Sequence, residues 1–407
     1  MKKLRFNPAA MEPAWFKFAA LEFIYWFAIA IGNYQTVYLQ THGFSASFIG
    51  VINATISALN IVIIPMWGMI SDKMRSIRTI FLLTMVIGAV AFAFIPLVAG
   101  LPFVGTPLLL AYLCIVYAFR NPANSMLDNW LVRYANQKAL DYGSMRSQGS
   151  LGFAIAGVAI AGAVSAFGTG WTFPACSIMM IPVFLMSLRT DDTKPLAVPA
   201  AQPKKESFNP IVLFKNYYYS TFLVFAFLIC LVINSAGAFL PYLLNDVGVE
   251  STRFGVITAY MAIIEIPMLM SSRKLRQSMP LYMLTILCCI CYTAGCLLLS
   301  TCAHSLMSVM IIETFNGLAS GLFIASASNY IYTLTPENLK ATGQSIYVSV
   351  TAASGIIASL AGGMLVDAFG STLFYMIIGF IALFSAVFMA ATIFIGQKKL
   401  KLPIETY

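Results

Sequence analysis

Apolar residues run along this chain in long blocks, each about the length of a membrane span and set off by short polar stretches. They do not show the strict alternation of a half-buried strand. A helix rising about 1.5 Å per residue needs about 20 such residues to cross the hydrocarbon of a bilayer. The pattern predicts spans over 14–39, 46–70, 79–98, 106–133, 143–166, 171–188, 214–244, 252–272, 279–299, 305–333, 341–366 and 372–396. The expected fold class is an all-α membrane protein of twelve transmembrane helices.

The blocks fall into two sets of six. Leu39, Gly43 and Gly50-Val51-Ile52 recur 205 residues on as Leu244, Gly248 and Gly255-Val256-Ile257, and a shift of 200 aligns Gly143 with Gly343 and Ala161-Gly162 with Ala361-Gly362. Repeats of this kind build transporters from two pseudo-symmetric six-helix bundles with a site at their interface. The segment RTDDTKPLAVPAAQPKKESF at the midpoint, rich in Pro, charge and small residues, reads as a connection. The expected organisation is an N-terminal bundle over 1–190, a cytoplasmic linker over 191–213 and a C-terminal bundle over 214–407. Small residues at spacing four, such as Gly152 with Ala156 and Gly355 with Ser359 and Gly363, mark the fifth and eleventh spans for close helix packing.

Composition agrees: 60% of the 407 residues are apolar and 10% charged, against roughly 25% charged in soluble domains. Counted over alternate connections and the termini, twenty Lys and Arg fall on one side and only Arg253 on the other. Positive residues stay cytoplasmic, so both termini and the linker are expected inside a plasma-membrane protein. The net charge of +9 is thus a topology signal and does not imply a nucleic-acid partner. The first apolar run is too long for a secretory signal and reads as a retained helix. The eight cysteines sit in or beside apolar blocks, without the loop and ligand partners of a zinc site, so no metal and no cofactor is expected.

Charges inside spans are costly and mark function by default. Glu22, Arg120, Asp128, Arg146, Glu265 and Glu313 need accounting. Asp128 and Arg146 lie nine residues either side of Gln137, which sets them at equal depth on antiparallel neighbours, roughly 13 Å from the turn. They can meet as a structural ion pair or as a binding pair. A carboxyl in a low-dielectric cavity can load and release a proton near neutral pH, which makes Glu313, Glu265 and Glu22 proton-coupling candidates. An enzyme would need a nucleophile with its base or a metal cluster. His42 and His304 fall near predicted external loops, and no such constellation exists.

Several segments resemble one family. Leu140-Asp141-Tyr142-Gly143 with Arg146, Gly149 and Ser150, and Asp128 eighteen residues before the arginine, resemble the major facilitator branch containing lactose permease and the phenylpropionate and nucleoside proton symporters. Glu265-Ile266 with Ser272-Arg273-Lys274-Leu275-Arg276 is similar to its eighth-helix signature, Ala341-Thr342-Gly343-Gln344 to the start of its eleventh helix, and Gly68, Ser71, Asp72, Lys73 and Arg78 to the superfamily loop motif. The resemblance implies that Asp128 and Arg146 bind substrate and that Phe153 stacks on a sugar. A histidine common in the tenth helix is replaced by Asn316, a further substrate-site candidate beside Glu313. Asp72 and Arg75 are candidates for gating.

The expected function is a proton-coupled symporter working as a monomer by alternating access. It imports a small polar organic solute, with a sugar or oligosaccharide first and a nucleoside or aromatic acid next. Proton-coupled efflux is the alternative within the class, an intramembrane enzyme the alternative outside it.

Overall fold

The computed structural model describes residues 13–101, 105–138, 140, 142–193, 211–336 and 339–402. Lys2, Lys3, Arg5, Asp141 and the linker from 194 to 210 lie outside the described residues. Helix occupies every predicted block, and among the described residues there is no strand. The elements are α1 (Pro13–Ile31), α2 (Gln35–Thr41), α3 (Ala46–Met74), α4 (Ile77–Ala93), α5 (Ile95–Ala99), α6 (Thr106–Lys138), α7 (Tyr142–Phe167) and α8 (Thr172–Arg189), followed by α9 (Ile211–Lys215), α10 (Tyr217–Asp246), α11 (Phe254–Ser278), α12 (Leu281–Cys302), α13 (Leu306–Leu334) and α14 (Lys340–Phe394).

Nine helical segments among the described residues are long and apolar enough to cross a membrane. The last of them joins two predicted spans through Gly370, whose φ of 80° interrupts the helical backbone of α14. The more polar α6 and α11, which carry Arg120, Asp128 and Glu265, fall outside the nine. Large apolar side chains face outward, as a lipid solvent allows: Val62 is 66% exposed and Phe167 78%.

Two predicted spans are interrupted. The first breaks between Ile31 and Gln35, and the third at Phe94, ahead of Pro96. Elsewhere, side chains set the helix ends. Ser76 Oγ accepts from Thr79 N at 3.1 Å, Asn216 Oδ1 accepts from Tyr218 N and Tyr219 N at 3.0 and 3.2 Å, and Ser305 and Ser308 form a reciprocal cap. The repeat seen in the sequence has a backbone counterpart. Gly43 and Gly248 both take positive φ, 81° and 75°, in loops 205 residues apart, a conformation only glycine adopts without strain.

The chain forms two compact units. One gathers the chain up to Gly32 with Val62–Ala159 and Trp171–Ala200; the other gathers Asn33–Ile61, Ile160–Gly170 and the chain from Ala201. In the first, α4 packs on α6 and α8, and α1 on α8. Its core is aromatic, with Trp130 edge-on to Phe18 at 5.3 Å and near Phe81 at 5.9 Å. In the second, α10 and α12 pack on α14, and α11 on α13. There the N-terminal end of α3 meets α14 closely, because Asp367 accepts hydrogen bonds from Ala46 N and Ser47 N at 2.9 and 2.7 Å.

Some small-residue positions are tight and others open. A Cβ on Gly152 would lie 2.2 Å from the Phe23 carbonyl oxygen, whereas one on Gly162 meets nothing within 4 Å. Gly152→Ala is therefore expected to cost about 1–3 kcal/mol through overpacking against backbone that cannot yield. Gly162→Ala is expected to be neutral or stabilising by up to about 1 kcal/mol. Thermal melting of the two purified variants checks the pair.

Candidate functional site

In the first unit, three helices bring four polar side chains together. Glu22 and Trp26 sit one turn apart on α1 and so share a face. Asp128 comes from α6 and Arg146 from α7. Arg146 Nε is 3.5 Å from Asp128 Oδ1, and its guanidinium carbon lies 4.6 Å from the centre of the Trp26 ring. The contact expected from equal depth is thus made, and it carries a cation–π interaction that the spacing argument did not contain. Two further bonds fix the frame. Trp15 Nε1 donates to Ser144 Oγ at 2.9 Å, tying α1 to the start of α7, and the Tyr25 hydroxyl donates to Asn124 Oδ1, tying α1 to α6.

Gly149 makes room for the cluster. A Cβ there would lie 2.5 Å from Trp26 Cδ1 and 3.0 Å from both Arg146 Nη1 and Glu22 Oε2. The side chains of Asp128 and Arg146 remain 44% and 29% exposed, so a solute can reach them, whereas Glu22 is fully buried. Glu22 interacts with Trp26 one turn along α1, and Asp128 Oδ1 has its ion-pair contact with Arg146 but no hydrogen bond of ordinary geometry. Buried polar atoms left unmade are costly, so the cluster has unused hydrogen-bonding capacity. Phe153, half-buried, lies two turns beyond Arg146 on the same face of α7.

The second unit holds the other acids. Glu313 and Asn316 lie one turn apart on α13, both buried, and Asn316 Nδ2 donates to Glu313 Oε2 at 2.9 Å. Gly295 of α12 leaves the space for this pair: a Cβ there would lie 2.2 Å from Asn316 Oδ1. Glu265 of α11 is half-buried and accepts from Ser320 Oγ of α13 at 2.9 Å. Buried Tyr292 of α12 lies within electrostatic reach of both acids.

Arg120 stands apart from these acids. It is buried over the face of Phe92, 3.8 Å from the ring centre, with Nη1 3.5 Å from Cys176 Sγ. A Cβ on Gly32 would meet its Nη2 at 2.7 Å. The cation thus lies at the C-terminal end of α1, where the helix dipole favours positive charge. Nearby, Pro122 cannot donate to the Ala118 carbonyl, and Trp67 Nε1 supplies that bond at 3.1 Å.

The gating candidates lie in a polar network of the first unit. Asp72 pairs with Arg133 Nη2 at 3.1 Å, joining α3 to α6, while Arg75 is exposed with a φ of 53°. The sequence reading did not single out Asp191 and Asp192, assigned there to the linker. Asp192 accepts from Ser76 Oγ at 2.5 Å and from Arg78 N at 3.2 Å, and Asp191 pairs with Lys138 at 3.7 Å. Their charge beside a Pro-rich stretch looks like solvated loop, so only the fold reveals the role.

A purely structural ion pair needs only complementary charge, and exchanging its residues restores it. A binding pair needs each group in its own place. Asp128→Asn, Arg146→Lys and the Asp128→Arg/Arg146→Asp exchange are expected to stay folded and each lose solute affinity by about tenfold or more, measured by equilibrium binding to purified protein. Recovery of binding in the exchanged protein would make the pair structural.

Residues 16–377 match the model of the MFS_1 like family. The maltose permease of Geobacillus stearothermophilus is 24% identical over 353 residues, covering 86% of this chain and 87% of the permease. The uncharacterized transporter YwbF of Bacillus subtilis is 24% identical over 386 residues, covering 90% and 91%. Among solved structures, a mutant of the nucleoside transporter NupG superposes with a TM-score of 0.79 at 15% identity, covering 93% of this chain and 99% of that one. A bacterial homologue of the lysosomal transporter Spinster, inward-facing, gives 0.65 at 14%, covering 94% and 96%.

Proposed function

We propose proton-coupled import of a small polar organic solute for this chain, which belongs to the MFS_1 like family. It is a multi-pass membrane transporter and not an enzyme. In the proposed mechanism the solute binds at Asp128 and Arg146, where a carboxylate and a guanidinium fork offer acceptors and donors at fixed positions. Phe153 supplies an apolar face to a sugar ring. The observation that carries the reading is this half-exposed ion pair, held by three helices and still short of hydrogen bonds.

Glu313 and Glu265 are the proposed proton carriers. Glu313 is held by a neutral hydrogen-bond donor, Asn316, and Glu265 accepts from Ser320 among its contacts. A neutral donor leaves a carboxyl free to exist in either protonation state, whereas a fixed cation would hold it ionised. A sugar or oligosaccharide is the first choice of solute, supported by the likeness to a maltose permease, and a nucleoside or aromatic acid follows. The proposed setting is the plasma membrane, with both termini cytoplasmic.

The test is transport in proteoliposomes under an imposed proton gradient, with maltose and uridine as solutes. Glu313→Gln or Glu265→Gln is expected to bring the accumulation ratio down to about one, because binding without proton release cannot use the gradient, while solute exchange persists. Uphill accumulation in both variants would exclude these acids as carriers.

A further inference from the structure

We propose that the lysine-rich turn closing α14 binds the headgroup of an anionic phospholipid. Lys398, Lys399 and Lys401 supply the charge there, joined by Lys215 of α9. Such a site requires only that the chain spans a membrane and is independent of the solute carried.

Two short segments meet to form the patch. After Phe394 the helix continues as a wider turn over Ile395–Lys399, with Leu400 N donating to Ile395 O at 3.0 Å and Leu402 N to Gly396 O at 2.9 Å. The start of α10 fixes this turn in place: Tyr217 and Tyr218 donate their hydroxyls to Thr392 O and Leu402 O at 3.2 and 3.1 Å. Gly396 lets Tyr218 approach, since a Cβ there would lie 2.6 Å from the tyrosine oxygen. Lys215 ends α9 just before Tyr217, so it reaches the same end of the unit. All four lysines are exposed, none has an ion pair among the described residues, and 211–220 and 391–402 contain no acidic residue.

Apolar side chains stand among these charges. Phe394, Leu400 and Phe214 are 53%, 50% and 52% exposed, and Lys398 Nζ lies 5.1 Å from the centre of the Phe394 ring. Lysines interleaved with exposed apolar groups at the end of a spanning helix fit the boundary between acyl chains and headgroups. A basic cluster just beyond a span attracts anionic lipid. A soluble anion would leave the apolar part uncovered.

Backbone conformation adds an observation specific to one residue. Six described residues take φ between 52° and 81°: four are glycines, and the other two are Arg75 and Lys401. An L side chain is strained in that region and glycine is not. At 401 the strain secures a further positive charge in the patch, and strain held where glycine would relieve it points to a function for the side chain.

The test adds phosphatidylglycerol or phosphatidylcholine with identical acyl chains to purified full-length protein in uncharged detergent, and follows binding by native mass spectrometry and thermal melting. The unaltered protein is expected to bind the anionic lipid about tenfold or more tightly than the zwitterionic one and to melt higher in its presence. Lys401→Gly is expected to weaken that preference by about fivefold, the worth of one lysine at an anionic surface, while melting no lower than unaltered protein when lipid is absent. Lys401→Arg is expected to keep the preference, and the Lys398→Gln/Lys399→Gln/Lys401→Gln protein to lose it. Equal binding of the two lipids by unaltered protein, or an undiminished preference in the triple variant, overturns the proposal. So does an equal loss in Lys73→Gln, which would make the effect one of net charge. Equal protection by glycerol 1-phosphate alone also overturns it, because the site would then be one for a soluble phosphate ester.

Discussion

An ionised side chain inside a membrane-spanning helix must be matched locally, because neither lipid nor a dry helix bundle can solvate it. The described structure can be read as a set of answers to that constraint. Arg120 is met by an aromatic face, a thiol and the negative end of α1. Arg146 is met by Asp128 and Trp26. Glu313 and Glu265 are met by neutral donors. Glu22, fully buried, is met by Trp26 one turn along α1.

Glycine is the second recurring element, and it serves the first. Gly149 and Gly295 leave room for charged or amide groups on neighbouring helices, and Gly32 does so for Arg120. Each is a position where one added methyl would collide with a side chain of that polar cluster. The glycines in the loops do different work: Gly43 and Gly248 supply the positive φ that turns the chain at equivalent points of the repeat.

Much of this was legible in the sequence for physical reasons. Apolar blocks fix helices because a bilayer permits little else, and the recurrence of Gly43 as Gly248 located matching turns. Asp128 and Arg146 could be paired because two antiparallel neighbours joined by a short turn place equidistant residues at one depth. Trp26, Gly295 and Asp192 were not legible, and Gly149 only as a motif residue without its role, since their partners come from other elements: Asp192 meets Ser76 across 116 residues. The break falls at Gly32-Asn33-Tyr34-Gln35, a polar interruption of the block, while the side chain of Arg120 that lies against it comes from α6 and was hidden. Periodicity reports faces and lengths, while these residues answer to three-dimensional neighbours.

The central proposal is that a small polar organic solute and a proton enter together. It is tested most directly with a pH electrode in a lightly buffered suspension of cells producing the protein, to which maltose or uridine is added. The account expects a transient alkalinisation of the medium that follows solute entry and disappears when a protonophore is present. Entry of the solute with no movement of protons would contradict it.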